Sequence, residues 1–214
     1  MDLTGQRGAA VRLFKREELA VDPVDLAHVL LGAVIETTGP EGTVAARLVE
    51  VEAYRGQDDP ASHCYRGQTP RNEVMWGPAG HLYVYFVYGM HFCANIVGRE
   101  EGEAGAVLLR AAEVVEGVDL ARARRKAARR DDELAQGPAR LTSALRIGPE
   151  HNGADLVNPD SPVRLFTGDE VPAADVRAGP RVGVAAAMDV PWRFWVDSPA
   201  VSVYRRGGRA RPRK

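Results

Sequence analysis

The sequence predicts an α+β fold, in which helices flank a mainly antiparallel β-sheet within one compact domain. Strand-like and helix-like segments mix along the 214 residues without the regular βαβ alternation of a parallel sheet. Hydrophobic residues make up 45% of the chain and charged residues 27%, the composition of an ordinary soluble protein with one substantial core. Nothing marks a second domain, so we expect residues 1–214 to form a single unit.

A short helix is predicted over residues 22–32. Asp22 suits the N-cap, Pro23 suits the first helical position, and Gly32 suits the stop.

Two β-rich runs, AVIETT and TVAARLVEVEAYR, follow this helix and are separated by GPEG, which is a hairpin signal. On the second run Glu50, Glu52 and Tyr54 share one face, because side chains alternate along a strand. The opposite face carries the apolar residues Val49, Val51 and Ala53. One face could therefore join the core while the other forms a site.

A long irregular segment and a second hairpin come next. Residues 56–81 are rich in Gly, Pro, Asp, Asn and Arg, which in a compact domain is typical of a functional loop. HLYVYFVYGMHFCANIV, residues 81–97, is the most β-prone segment, and Gly89 predicts a turn within it. That turn would carry Tyr88 and Met90 at its tip.

The remaining elements are shorter. The apolar run AVLLRAAEV contains one charge, Arg110. Residues 118–135 predict a strongly basic helix that stops at Gly137 and Pro138. Further strands are predicted for VRLF at 163–166, RVGVAAA at 181–187 and RFWV at 193–196.

Composition excludes several classes of protein. No apolar run approaches the roughly 18 to 20 residues of a membrane span, so we expect no membrane insertion. The N-terminus lacks the apolar stretch of a signal peptide, and Cys64 and Cys93 do not make a disulfide framework. These features favour a cytoplasmic protein, associated with the nucleoid if it is bacterial. Neither CxxC nor HxxxH spacing occurs, so we predict no metal and no cofactor.

The net charge of −1 hides a basic tail. Residues 205–214, RRGGRARPRK, carry six positive charges and no acid. A terminus of this composition is typically flexible, and it serves either to neutralise phosphates or only to keep the chain in solution.

Three side chains are candidates for chemistry, each with a plain structural alternative. Glu52 on a strand face beside an aromatic ring could act as a general base, although most strand glutamates simply face solvent. His63 lies in a polar loop, where a surface position is the usual one. Arg110 must find a partner if it is buried, and Glu52 would satisfy it, either in a site or in a structural ion pair.

Aromatic and basic residues leave similar alternatives open. Four of the six tyrosines crowd the same two segments and could stack on a nucleobase or fill a sheet core. A tyrosine and a methionine at a hairpin tip resemble the wedges of minor-groove proteins. Arg66, Arg71 and the cations of residues 122–130 could bind phosphates, although such a run is usually a solvated face.

Three longer motifs carry a resemblance. The strings VEAYRGQDDPASH, RGQTPRNEVMWGPAGHLYVYFVYGMHFCANI and AVLLRAAEVVEG occur in this order, and weaker similarity continues through QGPARLTSAL and RVGVAAA to DSPAVSV. Together they resemble the alkyladenine (3-methyladenine) DNA glycosylase family of the mammalian type. The resemblance implies a curved sheet with a protruding hairpin that inserts into the DNA minor groove.

The resemblance also implies an activity. The expected enzyme is a monofunctional hydrolase without lyase activity, which removes alkylated or deaminated purines from double-stranded DNA and leaves an abasic site. Its substrates would be 3-methyladenine, 7-methylguanine, hypoxanthine and ethenoadenine. The target nucleotide would be flipped out of the duplex, because the bond is inaccessible in the stack. The enzyme is expected to act as a monomer.

By motif position, Glu52 resembles the base that activates water, assisted by Arg110 and the backbone carbonyl of Val182. The resemblance implies that the flipped base stacks between Tyr85 on one side and Tyr54 with His63 on the other. The resemblance also implies that the amide of Asn95 screens against the 2-amino group of guanine. Tyr88 would fill the gap that the flipped nucleotide leaves in the duplex, and Met90 beside it would contact the groove. The hairpin sequence YGMHFCAN carries His91 directly after Met90, and histidine at this position departs from the family pattern.

Two other functions fit some of these residues. A hydrolase or formyl-transferring enzyme that acts on free nucleosides or nucleotides could use the same carboxylate and rings, but it would need no wedge at the hairpin tip. A binder of damaged DNA without catalysis would need neither Glu52 nor Arg110.

Overall fold

A computed structural model describes residues 11–87 and 89–202 of the chain. Within them, nine strands belong to one sheet with antiparallel pairing, which confirms the predicted α+β class. The strands are β1 (Val34–Gly39), β2 (Gly42–Tyr54), β3 (Leu82–Val87), β4 (His91–Val97), β5 (Ala106–Glu116), β6 (Ala135–Gln136), β7 (Val163–Phe166), β8 (Arg177–Gly179) and β9 (Arg193–Trp195). The α-helices are α1 (Arg16–Leu19), α2 (Pro23–Leu30), α3 (Val118–Arg124) and α4 (Pro138–Leu145).

The predicted N-terminal helix is confirmed as α2. The Asp22 carboxylate accepts a hydrogen bond from the Val24 N–H at 3.0 Å, which satisfies one of the free donors at the helix start. The helix ends at Leu30, and Gly32 follows with a φ of +84°, a backbone conformation that favours glycine.

Strand β2 lies at the centre of the sheet. It pairs with β5 along one edge, whereas its other edge pairs first with β1 and then, over Glu50–Glu52, with β9. The two carboxylates therefore sit between neighbours on both sides and have no exposed surface. The GPEG segment joins β1 to β2 as the predicted hairpin, with Gly39 opposite Gly42.

Helices and the apolar face of β2 form the main core. Leu26 and Leu30 of α2, Leu141 of α4, and Leu48 of β2 all lie in this core without solvent exposure. Burying a leucine side chain contributes roughly 1.5–3 kcal/mol. This packing leaves the opposite face of β2 for Glu50, Glu52 and Tyr54.

Register shifts between β2 and β5 alter the predicted alternation. On β5, Ala111 lies opposite Glu50 and Leu109 lies opposite the next residue of β2, Val51. Arg110, between them, therefore has no partner on β2. Such bulges re-aim side chains. Val49 was predicted to share a face with Val51, but it packs instead in a small separate cluster with Ala111 and Ala200. One register shift, between Leu48 and Glu50, passes over Val49 on β2, and the next, between Glu50 and Val51, passes over Arg110 on β5 and directs it toward the carboxylates.

The predicted basic helix over 118–135 is wrong beyond its first seven residues. Helix α3 ends at Arg124, and the chain turns back so that Asp131 accepts two hydrogen bonds from Arg122, at 2.8 Å each. The segment after Arg124 lacks an apolar stripe, so packing does not prolong the helix. Gly137 and Pro138 do not stop a helix either, because Pro138 is the first residue of α4.

The predicted strand at 181–187 is also wrong. These residues form bends and turns, and Gly183 has a φ of +75°. The Val182 N–H donates to the Glu52 carboxylate at 2.7 Å instead of to a strand neighbour. VRLF and RFWV are confirmed as β7 and β9, although β9 ends one residue early at Trp195.

Strands β3 and β4 pair in antiparallel fashion around Gly89, whose φ is +71°. Tyr88 and the basic tail 205–214 lie outside the described residues. The curvature of the sheet, the insertion of this hairpin into DNA and the single-unit division of the chain stay predictions. No helix in the described part of the chain is long and apolar enough to cross a membrane.

Candidate active site

A cavity of about 530 Å³ opens beside the polar face of β2. Its walls come from β2, the loop after β2, the β3–β4 pair, β5 and the turn at 182–186. The predicted site residues that line it are Tyr54, His63, Arg71, Tyr85, Asn95, Arg110 and Val182. The fold therefore brings together side chains that are spread over more than half of the sequence.

Glu52 is fully buried next to this cavity and accepts hydrogen bonds from two of its lining residues. The Tyr54 hydroxyl donates to one carboxylate oxygen at 2.9 Å, and the Val182 N–H donates to the other at 2.7 Å. Burial raises the pKa of Glu52, while Arg110 and these two donors oppose the rise. The carboxylate is thus held in one orientation with an increased affinity for a proton.

Arg110 is the predicted ionic partner of Glu52, and the structure confirms that they meet. One terminal nitrogen of its guanidinium lies 3.3 Å from Glu52. The Nε atom donates to a second buried carboxylate, Glu50, at 2.9 Å. Sequence reasoning placed Glu50 on the correct face but gave it no role. Its signal was the same alternation that singled out Glu52.

Three aromatic rings form one wall of the cavity. The rings of Tyr83 and Tyr85 stack with centroids 5.4 Å apart, and the His63 ring packs edge-on against Tyr85 at 4.6 Å. The His63 Nδ1 atom and the Tyr83 hydroxyl share a hydrogen bond of 3.1 Å. Desolvation and the nearby charge of Arg71 lower the pKa of His63. Burial raises the pKa of Tyr83 to about 12, so the wall carries no charge near neutral pH.

Asn95 lies at the inner end of this wall. It is buried opposite Tyr83 in the β3–β4 register, and its side-chain amide donates to the Tyr83 carbonyl at 3.1 Å. One face of a rigidly held amide therefore borders the cavity.

A buried arginine that the sequence analysis missed supports Tyr54 from behind. Arg181 has no exposed surface in its side chain, and its guanidinium carbon lies 4.7 Å from the centroid of the Tyr54 ring. It donates to the Ala53 carbonyl at 2.9 Å and to both carboxylate oxygens of Asp59. Its only signal in the sequence is its position directly before Val182.

The predicted DNA contacts are spread around the opening. Met90 at the hairpin turn is 70% exposed, as a groove contact requires. Arg71 lines the cavity itself, with its guanidinium 5.9 Å from the centroid of the Tyr85 ring. Arg66 is exposed on the same loop but does not line the cavity.

The basic segment after β5 divides into two kinds of cation. Arg122, Arg124 and Arg130 are ion-paired with nearby acids. Arg129 and Arg140 form no ion pair within the described residues, and both line a depression that shares Pro138 with the cavity. Unpaired positive charge thus lies beside the opening.

A family model described as methylpurine-DNA glycosylase matches residues 17–200 of this chain. This chain belongs to the methylpurine-DNA glycosylase family. Every predicted site residue from Glu52 to Val182 falls inside the matched range.

Curated relatives agree with this membership. A Nocardia farcinica protein, named provisionally a 3-methyladenine DNA glycosylase, is 54% identical over 200 residues, which cover 91% of this chain and 92% of the relative. A Streptomyces avermitilis protein of the same provisional name is 53% identical over 193 residues, covering 89% of this chain and 91% of the relative. A third, from Mycobacterium tuberculosis, is 50% identical over 200 residues and covers 91% and 95%. The methylpurine-DNA glycosylase match thus extends over nearly the whole chain.

Proposed function

We propose that this methylpurine-DNA glycosylase hydrolyses the N-glycosidic bond of alkylated or deaminated purines in double-stranded DNA. The observation that carries the proposal is the buried carboxylate of Glu52, fixed by two hydrogen bonds and one ion pair next to an aromatic cavity. The substrates are 3-methyladenine, 7-methylguanine, hypoxanthine and ethenoadenine, and the product is an abasic site. Since its substrate is chromosomal DNA, we place the enzyme in the cytoplasm, where it acts as a monomer.

The reaction requires a nucleotide that has left the duplex. A glycosidic bond inside stacked DNA is inaccessible to a buried carboxylate, so the enzyme must flip the nucleotide into the cavity. The cavity volume of about 530 Å³ is in the range of small-molecule sites and suits one purine with its sugar.

Glu52 acts as the general base. It takes a proton from a water molecule as the water oxygen adds to the anomeric carbon, and the purine leaves with the electron pair of the broken bond. The negative charge of Glu52 also stabilises the positive charge that develops on the sugar. Because water is the nucleophile, no amine of the protein joins the sugar, and the strand stays intact without lyase activity.

The arrangement of the stacking rings revises the expected sandwich. A base between two rings needs about 7 Å between their planes, which is twice an ordinary contact distance. His63 and Tyr85 are in edge contact with centroids only 4.6 Å apart, so a base cannot lie between them as they stand. We place His63 and Tyr85 together on one side of the base and Tyr54 on the other.

The cavity suits purines that carry positive charge. Electron-rich rings attract a cationic alkylated base through cation–π interactions. Asn95 at the inner end of the wall would meet the purine edge and disfavour the 2-amino group of guanine, a penalty that the cation–π attraction of the positively charged 7-methylguanine offsets.

Duplex DNA binds across the opening. Tyr88 and Met90 fill the gap left by the flipped nucleotide, and Arg66 and Arg71 bind phosphates on the side of the loop after β2.

An excision assay tests the proposal. A duplex with one hypoxanthine or ethenoadenine is incubated with the protein, and alkali then breaks the strand at any abasic site. We expect cleavage only after alkali treatment. Glu52→Gln should lower the excision rate by about 10²- to 10⁴-fold and leave binding to the duplex intact. Full activity in that variant would remove Glu52 as the base, and binding without excision by the unaltered protein would indicate a damage binder.

The matched control is Glu113→Gln. Glu113 also lies on a sheet strand, but it faces Ser198 and Arg47 outside the cavity. This variant should excise the base at the normal rate.

A further inference from the structure

Glu50 is a second carboxylate of β2 that has no exposed surface. It lies two residues before Glu52 and between β5 and β9. Its oxygens accept hydrogen bonds from the Arg110 Nε at 2.9 Å, the Arg193 guanidinium at 3.0 Å and the Ser202 N–H at 2.7 Å. Of these three donors only Arg110 lines the cavity, whereas all three groups that contact Glu52, namely Tyr54, Val182 and Arg110, line it.

Arg110 is shared unequally between the two carboxylates. Its Nε donates to Glu50 at 2.9 Å, whereas one terminal nitrogen lies 3.3 Å from Glu52 and the other donates to the Ser202 hydroxyl at 3.2 Å. All three nitrogens of the guanidinium therefore have a partner. Of the two ion pairs that Arg110 forms, the one with Glu50 is shorter than the one with Glu52. Because Arg110 sits on a bulge, these contacts rather than regular strand geometry fix its side chain.

The charges of this network balance. Two buried carboxylates, Glu50 and Glu52, meet two buried guanidinium groups, Arg110 and Arg193. Burying an unpaired charge is strongly unfavourable, so removing one member changes how the others distribute their charge. Without Glu50, Glu52 would be the remaining carboxylate of this network, and the ion pair of Arg110 with it would no longer be opposed by a second anion.

We propose that Glu50 is a positioning residue, which binds Arg110 through its Nε atom and withholds part of that arginine's charge from Glu52. The proposal rests on the proposed function, because it assumes that Glu52 is the base. A carboxylate that receives the undivided charge of Arg110 is stabilised as an anion and becomes a weaker base. Glu50 thus keeps Glu52 basic while Arg110 still orients it.

Other charged and titratable groups also lie near Glu50 and Glu52. The negative charge of Glu50 adds to the burial that raises the pKa of Glu52, and Arg110 opposes both. The titratable or charged groups that face the two carboxylates are Arg110, Arg193, Tyr54, Tyr85 and Cys93, with Arg181 behind Tyr54. Burial raises the pKa of Tyr54 and of Cys93, so both are neutral where a glutamate titrates. The arginines are always charged.

The test is the pH dependence of single-turnover excision from a hypoxanthine duplex. In Glu50→Gln the side chain keeps its shape and an acceptor for Arg110 but loses its charge. The acidic limb of the rate profile should then move to lower pH by about one unit, and the plateau rate should fall. Arg193→Gln removes a cation from the far side of Glu50 and should move the limb to higher pH. The double variant restores the balance of charge and should return the limb toward its original position.

A merely structural role for Glu50 predicts a different pattern. Loss of packing would lower the rate in both single variants without moving the limb in opposite directions, and that result would overturn the proposal. If Glu50→Gln alone does not fold, its effect can still be measured in the Arg193→Gln background. The acidic limb of the charge-balanced double variant should lie at lower pH than that of Arg193→Gln.

Titration of Glu52 by carboxyl-carbon NMR, assigned with Glu52→Gln, separates this proposal from the proposed function. If the Glu52 titration shifts in opposite directions in the two single variants but the unaltered protein excises no base, the glycosylase function is contradicted and the charge sharing is not. Excision with an unshifted Glu52 titration in all variants would contradict the charge sharing.

Discussion

Arg181 and Asp59 form an ion pair in which neither side chain has any exposed surface, although 122 residues separate them in sequence. Through this pair, the turn that carries Val182 is tied to the loop that leads to His63. Arg181 also donates to the Ala53 carbonyl, between Glu52 and Tyr54. One buried contact therefore aligns three segments of the cavity.

Replacing Asp59 with Asn should leave a buried guanidinium without its anion. We expect the free energy of unfolding to fall by about 3–5 kcal/mol, as when one partner of a buried ion pair is removed. Urea denaturation monitored by tryptophan fluorescence measures the change. Asp58→Asn is the matched control, because the neighbouring Asp58 side chain is 66% exposed and lies 3.6 Å from Arg99. A loss in the control as large as that in Asp59→Asn would show that the loop, and not the ion pair, is sensitive.

Tyr54→Phe should move the acidic limb of excision to higher pH. The Tyr54 hydroxyl donates to Glu52 and thereby favours the ionised form, so its removal raises the pKa of Glu52. A smaller fraction of Glu52 is then ionised at any pH below the plateau, and the rate falls there first. The ring remains for stacking, so affinity for the duplex should change little. Single-turnover rates against pH provide the measurement.

Tyr83→Phe is the control for that experiment. Its hydroxyl bonds His63 and not Glu52, so the acidic limb should stay in place. If both variants move the limb equally, the shift does not come from the hydrogen bond to Glu52.

Replacing Arg129 and Arg140 with Gln should weaken binding to DNA of any sequence. Each is expected to contact one phosphate beside the cavity, so the slope of log affinity against log salt should decrease by about 0.9 per residue. Fluorescence anisotropy of a labelled duplex at several salt concentrations measures the slope. Arg122→Gln, in which the lost cation was paired with Asp119 and Asp131, should leave the slope unchanged. Equal effects of all three changes would mean that the whole basic segment acts only through its net charge.

Local pattern predicted much of the fold and part of the site. Strand alternation placed Glu52 and Tyr54 on one face, and the structure shows their hydrogen bond of 2.9 Å. The capping residues of α2 and the turn signal at GPEG were equally reliable, because they depend on neighbours in sequence. A charge within an apolar run correctly implied a buried partner for Arg110.

Other predictions were wrong where a residue distant in sequence binds a backbone N–H group or a charged side chain of the segment. RVGVAAA has the composition of a strand, but the N–H of Val182 is engaged by Glu52, 130 residues away. The basic run after Val118 has the composition of one long helix, but Asp131 folds back onto Arg122. The contact of His63 with Tyr85 likewise depends on how a loop packs on a sheet.

The sequence by itself determined the family, the longer strands of the sheet and the shared face of Glu52 and Tyr54, since motifs and alternation are properties of short segments. Only the tertiary structure decided how that carboxylate is held. The partners of Glu52, Glu50 and Arg110 come from strands and turns far apart in the chain, and a bulge directs Arg110 between the two acids. Burial then makes these few contacts strong, because charges removed from water depend on the neighbours that the fold supplies.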